Sequence, residues 1–518
     1  MRRLLGIFVL LCTALAVTGQ CLTRPGHTVR LPTVSWVFEI PLQWGATSLQ
    51  SFVGWVLCAG FALLGIWLLK AADFPVTPMT SRKLKRFTEI GRGWWSFRIL
   101  LFLVFLACLD QVIVGRRALA VRYEGAWFFP AFREEIYTSA DFGESGADQA
   151  NYRKLAEKWQ ALGSDNTVIL PLIPWDATYD TDENVRLELE TRDGVLLGTD
   201  GRPYSGLAQS FSPENPTVRV RQARFRNGLH HLNEEGFDAQ GMLVYSATWE
   251  HGKKIAESPP DAASSAFLQQ KFGPWVEIDY MPIQPNRERG HYLGTDSRGW
   301  DVAAQLYGGF QVILKASLLY LAATYAIGIS LGLLMGFRGG VFDLILQRVI
   351  EILSSVPFIY IVIILVSIWD RDRIGLSFLI AIHCLFSWIG CSHYLRTATF
   401  REKARDYVAA ARVMGASSSR IIFKHILPNT LSVLVTLIPF SITGISTSLT
   451  SLDFIGFGLP ERYASWGRLL SDGVENLRSA PWIVTSVFAV LVGVLLLVTF
   501  VGEALREAFD PKKFTTYR

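Results

Sequence analysis

The chain has 518 residues and no cysteine between positions 109 and 383. Its six cysteines, Cys12, Cys21, Cys58, Cys108, Cys384 and Cys391, lie in or beside apolar segments, which leaves the long polar stretch between them without a disulfide framework. No Cys-x-x-Cys pair or Cys/His cluster offers ligands for zinc. Gly-x-x-x-x-Gly-Lys-Ser/Thr is missing, so ATP hydrolysis on a P-loop of this chain is excluded; Gly-x-Ser-x-Gly and His-Glu-x-x-His are missing too. The acids and histidines of the polar stretch show no catalytic spacing, and no enzymatic activity is expected. Charge is scarce: 18% of residues carry it and the net charge is +5, too little at this length to indicate nucleic-acid binding.

What is abundant is apolar. Half the residues are hydrophobic, with 33 Phe and 16 Trp, and mean hydropathy is +0.28. That fits several membrane spans joined to a soluble portion. Residues 4–18 form a short apolar run behind Arg2 and Arg3, marginal between a cleaved signal peptide and a first span. Cys21 follows it as in lipoproteins, but Gln20 stands where a small residue is needed. Clearer spans are expected at 52–70 and 96–114, separated by the basic run Ser81–Arg86 with Arg92 and Arg98, which places that loop in the cytoplasm. Residues 116–308 are then extracytoplasmic.

Five more spans are expected at roughly 312–336, 349–369, 375–395, 429–449 and 482–503. Counting them alternately puts Arg338–Arg348, the loop Arg396–Lys424 and the tail with Arg506, Lys512, Lys513 and Arg518 on the cytoplasmic side. Asp370–Arg373 and 450–481 fall outside. The polar stretch carries strand-like alternation and turn signals at Asp193-Gly194, Asp200-Gly201, Asn227-Gly228 and His251-Gly252. Phe225–Leu229 and Trp249–Lys253 read as two copies of an aromatic-x-x-Gly turn, similar to short β-hairpin repeats of the MORN/antitoxin-like type; a plain β-rich insertion accounts for them equally. Residues 255–270 read as a linker or an exposed helix.

The most specific stretch is Ala409-Ala410-Ala411-Arg-Val-Met-Gly415, followed by Ile421, Ile422, His425, Ile426, Leu427 and Pro428. It predicts a helix with a shallow alanine face, a tight turn at Gly415, a second helix with an apolar side, and a stop at Leu-Pro, with Pro428 in the first turn of the next helix. This resembles the coupling ("EAA") loop of ABC-importer permeases, with Ala409 in place of the usual glutamate; His425 is common in the peptide-transporting branch.

Further stretches resemble the same branch. Gly294-Thr295-Asp296 with Gly299 and Asp301 precedes the 312–336 span, with Trp300 in place of the usual arginine; Arg298 is at hand to remake a pairing. Asp296 or Thr295 is expected to cap the helix starting near Asp301. Gly456, Gly458, Trp466 and Gly467 resemble the outer connector, glycines for close packing and Trp466 and Trp482 for the membrane interface. Arg348, Glu351 and Pro357 match the family's intervals, and Arg348 and Glu351 can pair on one helix face. Val121–Pro130 and Pro171–Asp180 look like the external loop of microcin C/long-peptide permeases. Resemblance covers 81–180 and 288–518. His383 and His393 are expected as neutral, hydrogen-bonded intramembrane histidines, and Lys315 as snorkelling.

The fold class so implied is an all-α polytopic membrane protein, the ABC type I importer transmembrane fold, with a β-rich extracytoplasmic insertion. Its order is a signal-like or first transmembrane segment (1–20), two helices with a basic loop (48–115), the extracytoplasmic region (116–308), a permease core of five spans (309–505) and a cytoplasmic tail (506–518). The resemblance implies a multi-pass inner-membrane subunit importing peptides or peptide-like solutes. Implied partners are a second permease subunit, cytoplasmic ATPase subunits that bind ATP and Mg, an extracytoplasmic solute-binding protein and membrane lipid; this chain itself needs no cofactor. Alternatives are the same fold importing nickel or another small solute, and an envelope sensor or scaffold binding a cell-wall ligand.

Overall fold

The computed structural model describes residues 78–509 apart from 133–135, 145–147, 182–185, 199–200, 214–217, 239–241, 259–271, 279–281, 288 and 370–373, plus scattered residues before 78. The 1–20 segment, the 52–70 span, Asp370–Arg373 and the tail beyond 509 lie wholly or mostly outside the described residues. Two compact units result: Met1–Asp180 with Gln284–Arg518, and Thr181–Ile283. The stretch expected as one β-rich region therefore divides, because residues 116–180 pack with the helical unit.

In the helical unit, α1 (Pro78–Glu89) and α2 (Gly91–Ala107) meet at 91°, and a short α3 (Asp110–Ile113) follows. Next comes a small sheet of order β2-β1-β3 (Ala126–Phe128, Ala120–Tyr123, Thr167–Ile169) with α4 (Tyr152–Ala161). Its core is Val121, Phe142, Leu155 and Trp159, under a stacked Tyr123. Arg153 lies 3.6 Å over the Trp175 ring and grips Asp180 through two bonds of 2.9 Å.

The remaining helices are α5 (Val302–Arg338), α6 (Gly340–Ser355), α7 (Phe358–Ile368), α8 (Leu376–Lys403), α9 (Asp406–Val413), α10 (Ser418–Arg420), α11 (Leu427–Phe454), α12 (Trp466–Glu475) and α13 (Pro481–Phe509). Four described helices have the length and hydropathy of a span, and two bent pairs, α1/α2 and α6/α7, bring the number to six if each is one crossing. The expected 349–369 span is thus a pair bent by 71°, with Pro357 at the break, where it cannot donate to the preceding turn. The α5–α8 contact is close because Gly328, Gly332 and Gly336 lie against Cys391, Ser392 and Thr399. Lys315 does not snorkel: it is buried within α5.

The insertion unit adds β4 (Arg186–Glu188) and a hairpin of β5 (Glu190–Arg192) and β6 (Val195–Leu197). A meander of β7 (Gly206–Phe211), β8 (Arg219–Arg226), β9 (Leu229–Phe237), β10 (Leu243–Glu250) and β11 (Lys253–Ser258) follows, and then β12 (Trp275–Ile278). All but the hairpin form one seven-stranded antiparallel sheet of order β11-β10-β9-β8-β7-β12-β4. Asn227-Gly228 and His251-Gly252 close two hairpins with both residues at positive φ, the geometry of two-residue primed turns. Residues 255–258, expected as linker or helix, are strand. One sheet face is occupied by Phe225, His230, Trp249 and Trp275, with the Arg221–Glu234 ion pair (2.9 Å) among them.

Candidate functional site

The basic loop is built as two short helices on the ends of three long ones. α9 ends in a Schellman turn: Ala416 N–H donates to Ala411 O (3.0 Å) and Gly415 N–H to Arg412 O (2.9 Å). Gly415 has φ +79°, and a side chain there would be strained although nothing crowds it. Ser417 then caps α10 by accepting from Arg420 N–H.

From Arg420 the chain runs on without a stop. Ile421–Ile426 is a π-turn and leads straight into α11, so Leu427-Pro428 continues the helix where the sequence predicted an end. The physical reason lies in Pro428. It has no N–H, and its ring would collide with the carbonyl four residues back in a regular α-helix; widening the preceding turn relieves the collision. Leu427 N–H accordingly donates to Ile422 O. The wider turn also brings Ile426 to the same side as Ile421 and Ile422.

That side is inward. Val408, Ala411, Ile421, Ile422 and Ile426 pack with Leu333 of α5, Cys391 and Leu395 of α8, and Leu434 of α11. Ala411 therefore belongs to the core, and only Ala409 and Ala410 of the expected alanine face are exposed. Polar bonds fix the same junction. Tyr407 Oη donates to Glu402 (2.6 Å), and Asn429 Nδ2 donates to Tyr407 Oη (3.1 Å) and to the carbonyl of half-buried His425 (2.9 Å). Burial, then Glu402, pushes the Tyr407 hydroxyl pKa up. Arg396 forks onto Asp343 at 2.5 and 2.6 Å, tying α8 to α6. Lys403 Nζ donates to Phe337 O at the end of α5 (2.6 Å).

Outward stand three apolar side chains, Val413 (90% exposed), Met414 (79%) and Phe423 (66%). Exposed Arg405, Arg412, Arg420 and Lys424 lie among them. An apolar tip ringed by cations, rigidly joined to three long helices, can seat in a partner's groove and transmit force. These three residues escaped sequence reasoning; their signal was apolar character inside an otherwise basic loop.

The Gly294–Asp301 and Gly456–Gly467 motif residues gather at the far end of the bundle. Gly294 and Gly299 both adopt positive φ in the turn before α5. The cap of α5 is Asp301, whose carboxylate accepts from Ala304 N–H (2.7 Å) and meets His291 Nδ1 (2.8 Å). Asp296 instead organises the turn, accepting from the N–H groups of Arg298 (3.0 Å) and Trp300 (2.8 Å) and from Gln305 Nε2 (2.9 Å). Burial pushes its carboxyl pKa up, against those donors. Thr295 gives its carbonyl to Trp482 Nε1 (3.1 Å). The expected capping role of Asp296 or Thr295 thus moves to Asp301, the residue at which the chain turns helical. Arg298 takes part of the missing arginine's place, 3.8 Å from Asp296 and 3.3 Å from Glu461.

Trp466 is not at the interface: it is 2% exposed and donates to Leu306 O (2.8 Å). A Cβ on Gly458 or Gly467 would collide with Asp453 or with the Thr450 carbonyl, so close approach explains both; Gly456 takes φ +83°. Asp453, the sole acid of its apolar segment, accepts from Leu459 N–H and Ser465 Oγ at 2.5 Å each. Arg348 and Glu351 pair at 2.5 Å on an exposed surface. His383 meets the Leu379 carbonyl (2.9 Å) and Ser448 Oγ (2.9 Å), a bridge between α8 and α11, whereas His393 is exposed. The coupling-loop residues sit at the opposite ends of α5 and α11 from the Gly294–Asp301 turn and the Gly456–Gly467 segment. Arg348 and Glu351 lie on α6, whose first turn is tied to α8 near the loop; the motif residues do not form one site.

Residues 328–515 match the family model described as binding-protein-dependent transport system inner membrane component. The peptidoglycan transport system permease protein YejE of Agrobacterium fabrum is 40% identical over 437 residues, covering 84% of this chain and 94% of that protein. The inner membrane ABC transporter permease protein YejE of Escherichia coli is 29% identical over 438 residues, covering 85% and 98%. The oligopeptide transport system permease protein OppC of Haemophilus influenzae is 34% identical over 237 residues, covering 46% and 75%.

Proposed function

The chain belongs to the binding-protein-dependent transport system inner membrane components, multi-pass permeases of ABC transporters, and on that premise we propose that it is a permease subunit importing peptides or peptide-like solutes, driven through the 409–428 loop. ATP and Mg are bound by separate cytoplasmic ATPase subunits. A second permease subunit completes the substrate path, and an extracytoplasmic binding protein delivers cargo. The cargo class rests on relatives named for peptidoglycan and oligopeptide transport.

The observation that carries the coupling role is the division of the loop into two faces. Val408, Ala411, Ile421, Ile422 and Ile426 join it to α5, α8 and α11, while Val413, Met414 and Phe423 face outward. A partner that closes around the tip on binding ATP moves three long helices at once, and the bundle shifts between inward- and outward-open states. Tyr407, Glu402 and Asn429 keep the loop from swivelling independently.

The test is Gly415→Pro. Proline requires φ near −65°, opposite in sign to the +79° found, so the Schellman turn cannot form. Transport should vanish while the protein stays inserted and in place; normal uptake would remove the coupling role. Co-purification of an ATPase with the unaltered chain separates this reading from a sensor or scaffold, which needs none.

A further inference from the structure

We propose that α1 is a recognition element for anionic lipid headgroups, lying along the cytoplasmic surface of the bilayer; its side of the membrane rests on the topology of the function proposed above. α1 meets α2 at 91°. A helix at a right angle to one that crosses the membrane runs along the membrane plane. Its sequence, Pro78–Glu89, places Arg82, Lys83, Lys85 and Arg86 within five residues, against Glu89 as the single acid.

The helix is anchored along one side. Phe87 is buried with Val501, Ala504 and Ala508 of α13, and Lys83 Nζ lies 5.1 Å over the Phe509 ring. Arg82 and Lys85, three residues apart, are exposed on the opposite side. The acids of α13 nearest this corner, Glu503 and Glu507, face Arg92 at 3.5 and 3.8 Å.

The start of α2 fixes the depth. Trp94 and Trp95 follow the bend, Trp95 is 62% exposed, and the Arg98 guanidinium lies 4.7 and 5.1 Å from the two rings. Exposed Trp with a stacked Arg at the end of a span is the composition of the headgroup zone. The cations of α1 therefore sit at the level of lipid phosphates. A protein partner fits this surface less well, since among the described side chains of α1 Leu84 is the one large apolar group exposed, whereas the coupling loop presents three.

The experiment uses the full chain purified with its partner subunits and placed in nanodiscs of phosphatidylcholine alone or of an equimolar mixture with phosphatidylglycerol. Native mass spectrometry then counts the lipids retained. The unaltered complex should retain phosphatidylglycerol preferentially, by about fivefold per contacting cation at low salt, falling as ionic strength rises. R82Q/K83Q/K85Q/R86Q should lose the preference, and R82K/R86K should keep it. Equal retention by the unaltered and four-glutamine complexes overturns the inference, as does loss of the ATPase subunits from that variant with phosphatidylglycerol retained, which assigns the surface to protein. Absence of an ATPase from every preparation counts against the transporter reading and leaves the lipid count to decide this one.

Discussion

Phe423→Ala separates the outward from the inward face of the coupling loop. The ring is 66% exposed in this chain. A phenylalanine buries roughly 150–250 Å² when fully covered, so on the order of 130 Å² remains for a partner to cover. At about 25 cal/mol per Å² that is about 3 kcal/mol of gross burial. Ordering of side chains on association offsets part of it, leaving about 1.5–2 kcal/mol, or ATPase binding weakened about 10- to 30-fold. Folding should hardly notice, since exposed substitutions stay within about 0.5 kcal/mol. Ile426→Ala makes the opposite case. Ile426 is fully buried three residues along the same π-turn, and its truncation should cost about 2–5 kcal/mol of stability. Titration of purified ATPase onto nanodisc-held permease, alongside thermal unfolding, reads both quantities. The reasoning fails if Phe423→Ala binds the ATPase within twofold of the unaltered protein, or lowers thermal stability as far as Ile426→Ala does.

Two further outcomes follow from the structure. Asp301→Ala removes the α5 cap and the carboxylate facing fully buried His291, and should cost about 2–4 kcal/mol in thermal unfolding; a loss below about 1 kcal/mol would mean the turn before α5 is held elsewhere. His230 is pushed down to about 4 by burial and then by Arg221, so the folded insertion favours the neutral ring. Its contribution is complete above the ordinary value of 6.5 and is lost as pH falls toward about 4. The loss is about 2 kcal/mol after discounting for the ring's partial exposure. Hydrogen exchange across β8–β10 should show protection falling over that interval in the unaltered chain and less so in His230→Phe; equal slopes would refute the assignment.

Much of the helical architecture was legible because a membrane span is written in consecutive residues. A run such as Val484–Val498 needs no tertiary partner to be recognised, and the basic residues of Arg396–Lys424 supply a charge asymmetry that a reader of sequence can count. The hairpins at Asn227-Gly228 and His251-Gly252 were equally plain, since few residues accept positive φ twice in succession. Trp466 and Lys315 were not. Hydropathy gives a side chain one value whether it meets lipid, headgroups or another helix, and only packing put Trp466 against Leu306 and Lys315 inside the bundle. The bends of 91° and 71° were hidden for a related reason: an apolar run has no direction until its neighbours fix one.

The order of apolar segments, the left-handed turn at Gly415 and the inward triplet Ile421, Ile422 and Ile426 are local properties, set by solvation, by the missing Cβ of glycine and by side-chain spacing. Tertiary structure decided which neighbours those local elements acquired. It turned Ala411 inward, left Phe423 outward, and let Leu427-Pro428 continue into α11, a π-turn making room for the proline ring. Whether a loop residue grips its own bundle or awaits a partner depends on how much of its surface distant helices cover, and that is fixed only when α5, α8 and α11 come together.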